Sequence, residues 1–205
     1  SGLMRCCGAI LAAPSLDLVP DVATIGESLG GGFASVAAVV YDRRTFGRTG
    51  FPSSATMVND NLSSHVALGV LGHLQSMAAE YGEAAAHFER SVRAALATGG
   101  QTAVCEVHGC GLMLALRFHT HVLVELSAVA NELRPVTCSG VPPALLLHVY
   151  LLREHGVRTR PTDGTLMLDM PAVATETSVQ RVCSAVQALE RVLATEAFEE
   201  VLSCW

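Results

Sequence analysis

Three consecutive glycines, Gly30-Gly31-Gly32, stand between two short apolar runs and constrain this chain more than any other feature. Such a triplet is poorly tolerated inside a helix or strand, so it marks a sharp turn or a close approach of backbone to something else. The run before it, Pro20-Asp21-Val22-Ala23-Thr24-Ile25-Gly26, reads as a buried strand closed by a glycine, and Glu27-Ser28-Leu29 leads into the triplet. The run after it, Ala34 to Tyr41, is Val-rich and reads as a second strand.

From Asn61 the period changes. Leu62, Val66, Val70, Leu74, Met77 and Tyr81 recur at three- and four-residue steps, which predicts a long amphipathic helix with Asn61 as its N-cap. Helical composition continues after Gly82, from Ala84 to Leu96, and Gly99-Gly100 closes it. Val104–Val107 and Leu112–Phe118 read as strands joined around Gly109-Cys110-Gly111, and Val122–Leu133 and Ala144–His155 as helices, the latter ending at Gly156. Val157–Thr159 and Thr165–Asp169 flank an Asp163-Gly164 hairpin turn. Thr175 or Thr177 caps a last helix carrying Val179, Val182, Val186, Leu189 and Leu193. The resulting class is α/β, with a boundary near Gly99-Gly100 separating residues 1–99 from 100–205.

Composition narrows the function. A net charge of −6, with 13 basic residues and no basic cluster, carries no footprint for nucleic acid. Mean hydropathy is +0.40, yet Val36–Tyr41 is too short to span a bilayer and Ala144–Leu152 is interrupted by His148. Residues 1–14 lack the layout of a signal peptide. The seven cysteines are odd in number and form no C-x-x-C pair, so they are expected as reduced thiols in a cytoplasmic protein. Cys105, His108 and Cys110 lie close together but lack a fourth ligand at zinc-like spacing. His65 and His73, eight apart on the long helix, and His108 and His119 have no Ser or Cys partner at useful spacing and read as ordinary surface or core histidines.

The segment from Pro20 to Phe33 resembles the cofactor-lysine segment of class III pyridoxal-phosphate (PLP) aminotransferases: Pro-Asp, an apolar strand, the lysine, a small residue, Leu, then glycines. Three further stretches follow in the family's order: Ser54-Ala55-Thr56 with the helix from Asn61, Val107-His108-Gly109-Cys110-Gly111-Leu112-Met113, and His155-Gly156-Val157-Arg158-Thr159-Arg160-Pro161. The resemblance, to the ornithine and acetylornithine type, implies the C-terminal half of a fold type I PLP enzyme: the last part of the large cofactor-binding domain with a long linking helix, then a small α+β domain. It also implies active sites at a dimer interface. The glycine-serine phosphate loop, the aromatic residue on the ring and the aspartate for the pyridine nitrogen belong to the family's N-terminal half.

At the chemical positions the chain departs from the family. Glu27 stands where the Schiff-base lysine is expected, and a carboxylate cannot form that bond. Met167 stands where an arginine would hold the substrate carboxylate by two hydrogen bonds. Thr56 matches the threonine that reaches the phosphate of the neighbouring subunit's cofactor, with a turn or helix-entry role as the alternative. The glycine triplet either admits cofactor or substrate or is a tight strand-to-strand turn, and Arg160 has either a strand-end or a functional role. Three readings follow: an aminotransferase homologue acting on an amine or amino acid and an oxo acid, inactive in this form; a non-catalytic partner in a homodimer or a heterodimer with an active homologue; and an unrelated α/β binding module.

Overall fold

The computed structural model describes residues 3–47, 60–97 and 105–205, with Glu27 at the level of its backbone. It divides into two compact units, residues 1–83 and 84–205. Among the described residues no helix is long and apolar enough to cross a membrane.

In the first unit, β1 (Val22–Ile25) pairs antiparallel with β2 (Ala38–Tyr41), Ile25 opposite Ala38 and Val22 opposite Tyr41. Residues Ala34 to Ala37, expected as strand, lie outside it. Asp42 ends β2 by capping a single helical turn, α1 (Arg43–Phe46): its carboxylate accepts from the Arg44 backbone N–H at 2.8 Å and from the guanidinium. That contact holds the Asp42 carboxyl below the usual carboxylate range.

Helix α2 (Asn61–Ser76) begins where the periodicity predicts, but its cap is Asp60 rather than Asn61. The Asp60 carboxylate accepts from the backbone of Leu62 and Ser63, at 3.3 and 2.9 Å, and leaves Asn61 as the first helical residue. Asp60→Ala is expected to destabilise the start of the helix, read as a lower denaturant midpoint at an unchanged slope. The apolar stripe is buried unevenly. Leu74 and Ala67 are buried, whereas Leu62 is 74% exposed and Leu68 67%.

The helical run, expected to be continuous, breaks at Met77. The Ser76 hydroxyl donates to the His73 carbonyl at 2.7 Å and the Met77 N–H reaches the same oxygen, which tightens the last turn of α2. Gly82 lies inside α3 (Ala78–Ala97) because another stretch of chain crosses there. A Cβ on Gly8 would fall 2.7 Å from the Gly82 Cα and 2.6 Å from the Ala78 carbonyl oxygen, so both glycines serve a backbone crossing. The core of this unit is small: Leu3, Met4, Ile25, Leu29, Ala67 and Leu74.

The second unit is built on a four-stranded antiparallel sheet in the order β3-β4-β6-β5. Its strands are β3 (Cys105–Cys110), β4 (Met113–Phe118), β5 (Arg160–Thr162) and β6 (Thr165–Asp169). Side chains alternate across it. Leu114, Leu116, Leu166 and Leu168 turn into the core, at 3% exposure or less, while Ala115 and Met167 face the other side. Burying each such leucine stabilises the fold by roughly 1.5–3 kcal/mol.

Helices α4 (Thr120–Leu133), α5 (Pro143–His155), α6 (Glu176–Ala194) and α7 (Phe198–Ser203) contribute to the same core. Thr175, not Thr177, caps α6, its hydroxyl accepting from the Ser178 N–H. The closing helix α7 has no counterpart in the sequence reading, yet Phe198, Val201 and Leu202 are buried. Strand β5 starts at Arg160, three residues later than the apolar run suggests. Thr159 just before it is buried and shares a 2.9 Å hydrogen bond with His148 of α5. Burial, and then the charge of Arg158, lower the His148 pKa.

The division at Glu83 and Ala84 falls inside α3, ahead of the Gly99-Gly100 pair. Ala85, Phe88, Val92 and Leu96 of that helix belong to the core of the sheet unit, so the helix C-terminal to Glu83 is one body with the strands it covers.

Candidate functional site

Glu27 sits at a strand-to-turn junction. β1 ends at Ile25, Gly26 departs from strand geometry (φ −98°, ψ −142°), and a 3-10 turn runs over Glu27–Gly30. The turn closes through Leu29 N–H to the Gly26 carbonyl at 3.0 Å and Gly31 N–H to the Ser28 carbonyl at 3.2 Å. Leu29 is 5% exposed and anchors the turn in the small core. The backbone of this position is thus anchored on one side by a strand and on the other by a buried leucine.

Of the triplet, Gly31 has φ +58°, and a Cβ there would lie 2.7 Å from a methyl of Val70 on α2. The tight-turn reading therefore holds at Gly31, which lets helix and turn approach. Gly31→Ala is expected to destabilise the first unit by about 1–3 kcal/mol through the left-handed backbone and the clash, read as a lower melting temperature. Gly32 has open space around it. Gly32 to Ala37 line an open concavity of about 540 Å³, beside which Phe33 is 87% exposed.

The remaining sequence-derived positions are distributed as follows. Thr56 lies outside the described residues. Met167 is in β6 of the second unit, in register with Arg160 on one side and Ala115 on the other, and half-buried. Arg160 donates to the Asp169 carboxylate at 3.2 Å; the pair is largely exposed, so it contributes at most about 1 kcal/mol. His108 pairs with Glu106 at 3.0 Å, and His65 contacts the Asn61 carbonyl of its own helix. His119 stacks on His121 with ring centres 5.8 Å apart. Cys105 is buried and burial pushes its thiol up to about 12, which leaves it an unreactive core residue.

The Gly109-Cys110-Gly111 stretch is held by α3. Arg93 donates to the carbonyls of Val107 and Gly109, each at 3.1 Å, and Glu89 accepts from the Gly111 N–H at 2.8 Å and from Arg93 at 2.9 Å. These two residues brace the hairpin. Their four-residue spacing is visible in the sequence, but their reach to backbone 14 to 22 residues further along the chain is not.

As a seat for PLP the residues do not fit. The covalent attachment needs a lysine, and all 13 basic residues of this chain are arginines.

No family model matches the sequence, and no curated protein does. Solved structures match closely in fold. The ornithine δ-aminotransferase of Plasmodium falciparum superposes with a TM-score of 0.69 at 18% identity, over 94% of this chain and 46% of that one. The ornithine aminotransferase of Toxoplasma gondii ME49 gives 0.67 at 21% identity, over 96% and 42%. The acetylornithine aminotransferase of Elizabethkingia anophelis gives 0.65 at 21% identity, over 92% and 45%. The chain thus has an aminotransferase-type α/β fold and spans less than half the length of these structures.

Proposed function

We propose that this chain is a class III aminotransferase homologue that does not catalyse amino-group transfer in this form. The family's reaction moves an amino group between an amine or amino acid and an oxo acid, with PLP supplying the carbonyl chemistry when bound. The observation that carries the reading is the junction at residue 27. A strand, a glycine, a buried leucine and a glycine turn frame a position where the family has its lysine, and a glutamate occupies it. The scaffold that would place an amine is present and the amine is not. Met167, at the position matched to the substrate arginine, has no charge with which to hold a carboxylate.

A specific observation favours a non-catalytic partner role alongside this. Val19, Phe33 and Leu62 of the first unit are 88%, 87% and 74% exposed, which leaves apolar side chains available to a partner, in a homodimer or in a heterodimer with an active homologue. Thr56 would be the residue lent across that interface.

The test is an amine-transfer assay with PLP, an amino donor and an oxo acid. The expected result is no turnover above free PLP for the chain alone. Turnover that saturates with substrate would refute the inactive reading. Sizing the chain by itself addresses the partner reading, for which a strictly monomeric species with no affinity for an active homologue would be the contrary result.

A further inference from the structure

A groove of about 190 Å³ opens in the second unit between α3, the Gly156–Arg158 stretch, the end of β6 and the start of α6. Arg158 and Arg181 both line it, and among the described residues neither forms an ion pair. A terminal nitrogen of Arg181 lies 3.8 Å from where a Cβ on Gly156 would sit, so its charge rests over a stretch with no side chain beneath it. The one carboxylate lining the groove, Asp169, is held by Arg160 at 3.2 Å. The groove therefore carries an excess of positive charge on a chain whose net charge is −6. Phe88, Leu168 and Met170, each buried, contribute apolar lining to the same groove.

We propose that this groove binds a small monocarboxylate, its carboxylate between Arg158 and Arg181 and its short aliphatic tail against Phe88, Leu168 and Met170. Guanidinium groups match carboxylates geometrically, and a volume below the roughly 300 Å³ of ordinary ligand pockets restricts the ligand to a few heavy atoms. A bare phosphate would leave the apolar lining uncovered. The site shares no residue with the Glu27 turn and does not include Met167, so it stands independently of the transferase reading.

The experiment is an amide chemical-shift titration of the 205-residue chain with butyrate, and with inorganic phosphate for comparison, at constant ionic strength. Butyrate is expected to give saturable shifts centred on Gly156, Val157 and Ser178, and Arg158→Gln/Arg181→Gln to weaken the binding about tenfold or more. Both arginines are exposed, so the double variant keeps the wild-type spectrum elsewhere. Absence of saturable shifts, equal affinity in the double variant, or tighter binding of phosphate than of butyrate would each overturn the proposal.

Discussion

Glu27→Lys is expected to acquire a pyridoxyl label at residue 27 after PLP and borohydride, substoichiometrically, and to remain without turnover. The substitution would create the only lysine in the chain, because all 13 basic residues are arginines. It places the amine on the first residue of the 3-10 turn, where the strand before it and the buried Leu29 after it hold the backbone. A bound cofactor also needs its phosphate, ring and pyridine nitrogen held, and those contacts supply most of the binding energy and the geometry for proton movement. The chain spans 46% or less of the solved aminotransferases it superposes on, and the class III resemblance implies that the elements for those contacts belong to the family's N-terminal half. Peptide mapping separates a label at residue 27 from one on the terminal amine. Full activity in this single variant would show that the determinants of the site lie within these 205 residues.

Leu116→Ala is expected to cost about 2–5 kcal/mol, a large share of the stability of a domain of this size. Leu116 is fully buried in β4, an inner strand of the sheet, and pairs in register with the equally buried Leu166. Truncation removes apolar area and leaves a cavity in the core between the sheet and the helices, which the close-packed surroundings fill only in part. Denaturant unfolding monitored by far-UV circular dichroism checks it. Ala115→Gly, on the opposite face of the same strand, serves as the control and should cost about 1 kcal/mol, as a strand glycine does. Equal losses at the two positions would mean that the face of β4 is misassigned.

What could be read from the sequence follows from which interactions are local. The 2-residue period of Met113–Phe118 and Thr165–Asp169 and the 3.6-residue period of α6 are local, and both types of element lie where the pattern puts them. The glycine triplet also reads correctly as a turn, because left-handed backbone at Gly31 and Gly32 is a property of the residue itself. The failures are tertiary. The reason for Gly82 inside a helix, the crossing chain at Gly8, is seventy-odd residues away and is invisible locally. Asn61 looks like a cap because Asp60 and Asn61 have equal propensity, and only the geometry shows which carbonyl or carboxylate faces the free N–H groups. β5 starts at Arg160, and Thr159 before it is engaged by His148, a contact between two elements that the local pattern does not carry.

The candidate site divides in the same way. The position of Glu27 at a strand-to-turn junction is visible as a motif, whereas the bracing of the β3–β4 hairpin by Glu89 and Arg93, and the meeting of Arg158 with Arg181 at one groove, need the fold. Charge and hydropathy say which residues are available for chemistry. They do not say which of them converge.

The most direct measurement is the intact mass of the wild-type chain after incubation with PLP and borohydride reduction, followed by peptide mapping. The account predicts an unmodified segment from Pro20 to Phe33 and no label on any side chain, since glutamate and arginine offer no amine for the cofactor aldehyde. A stoichiometric cofactor adduct on a residue in or beside that segment would contradict it.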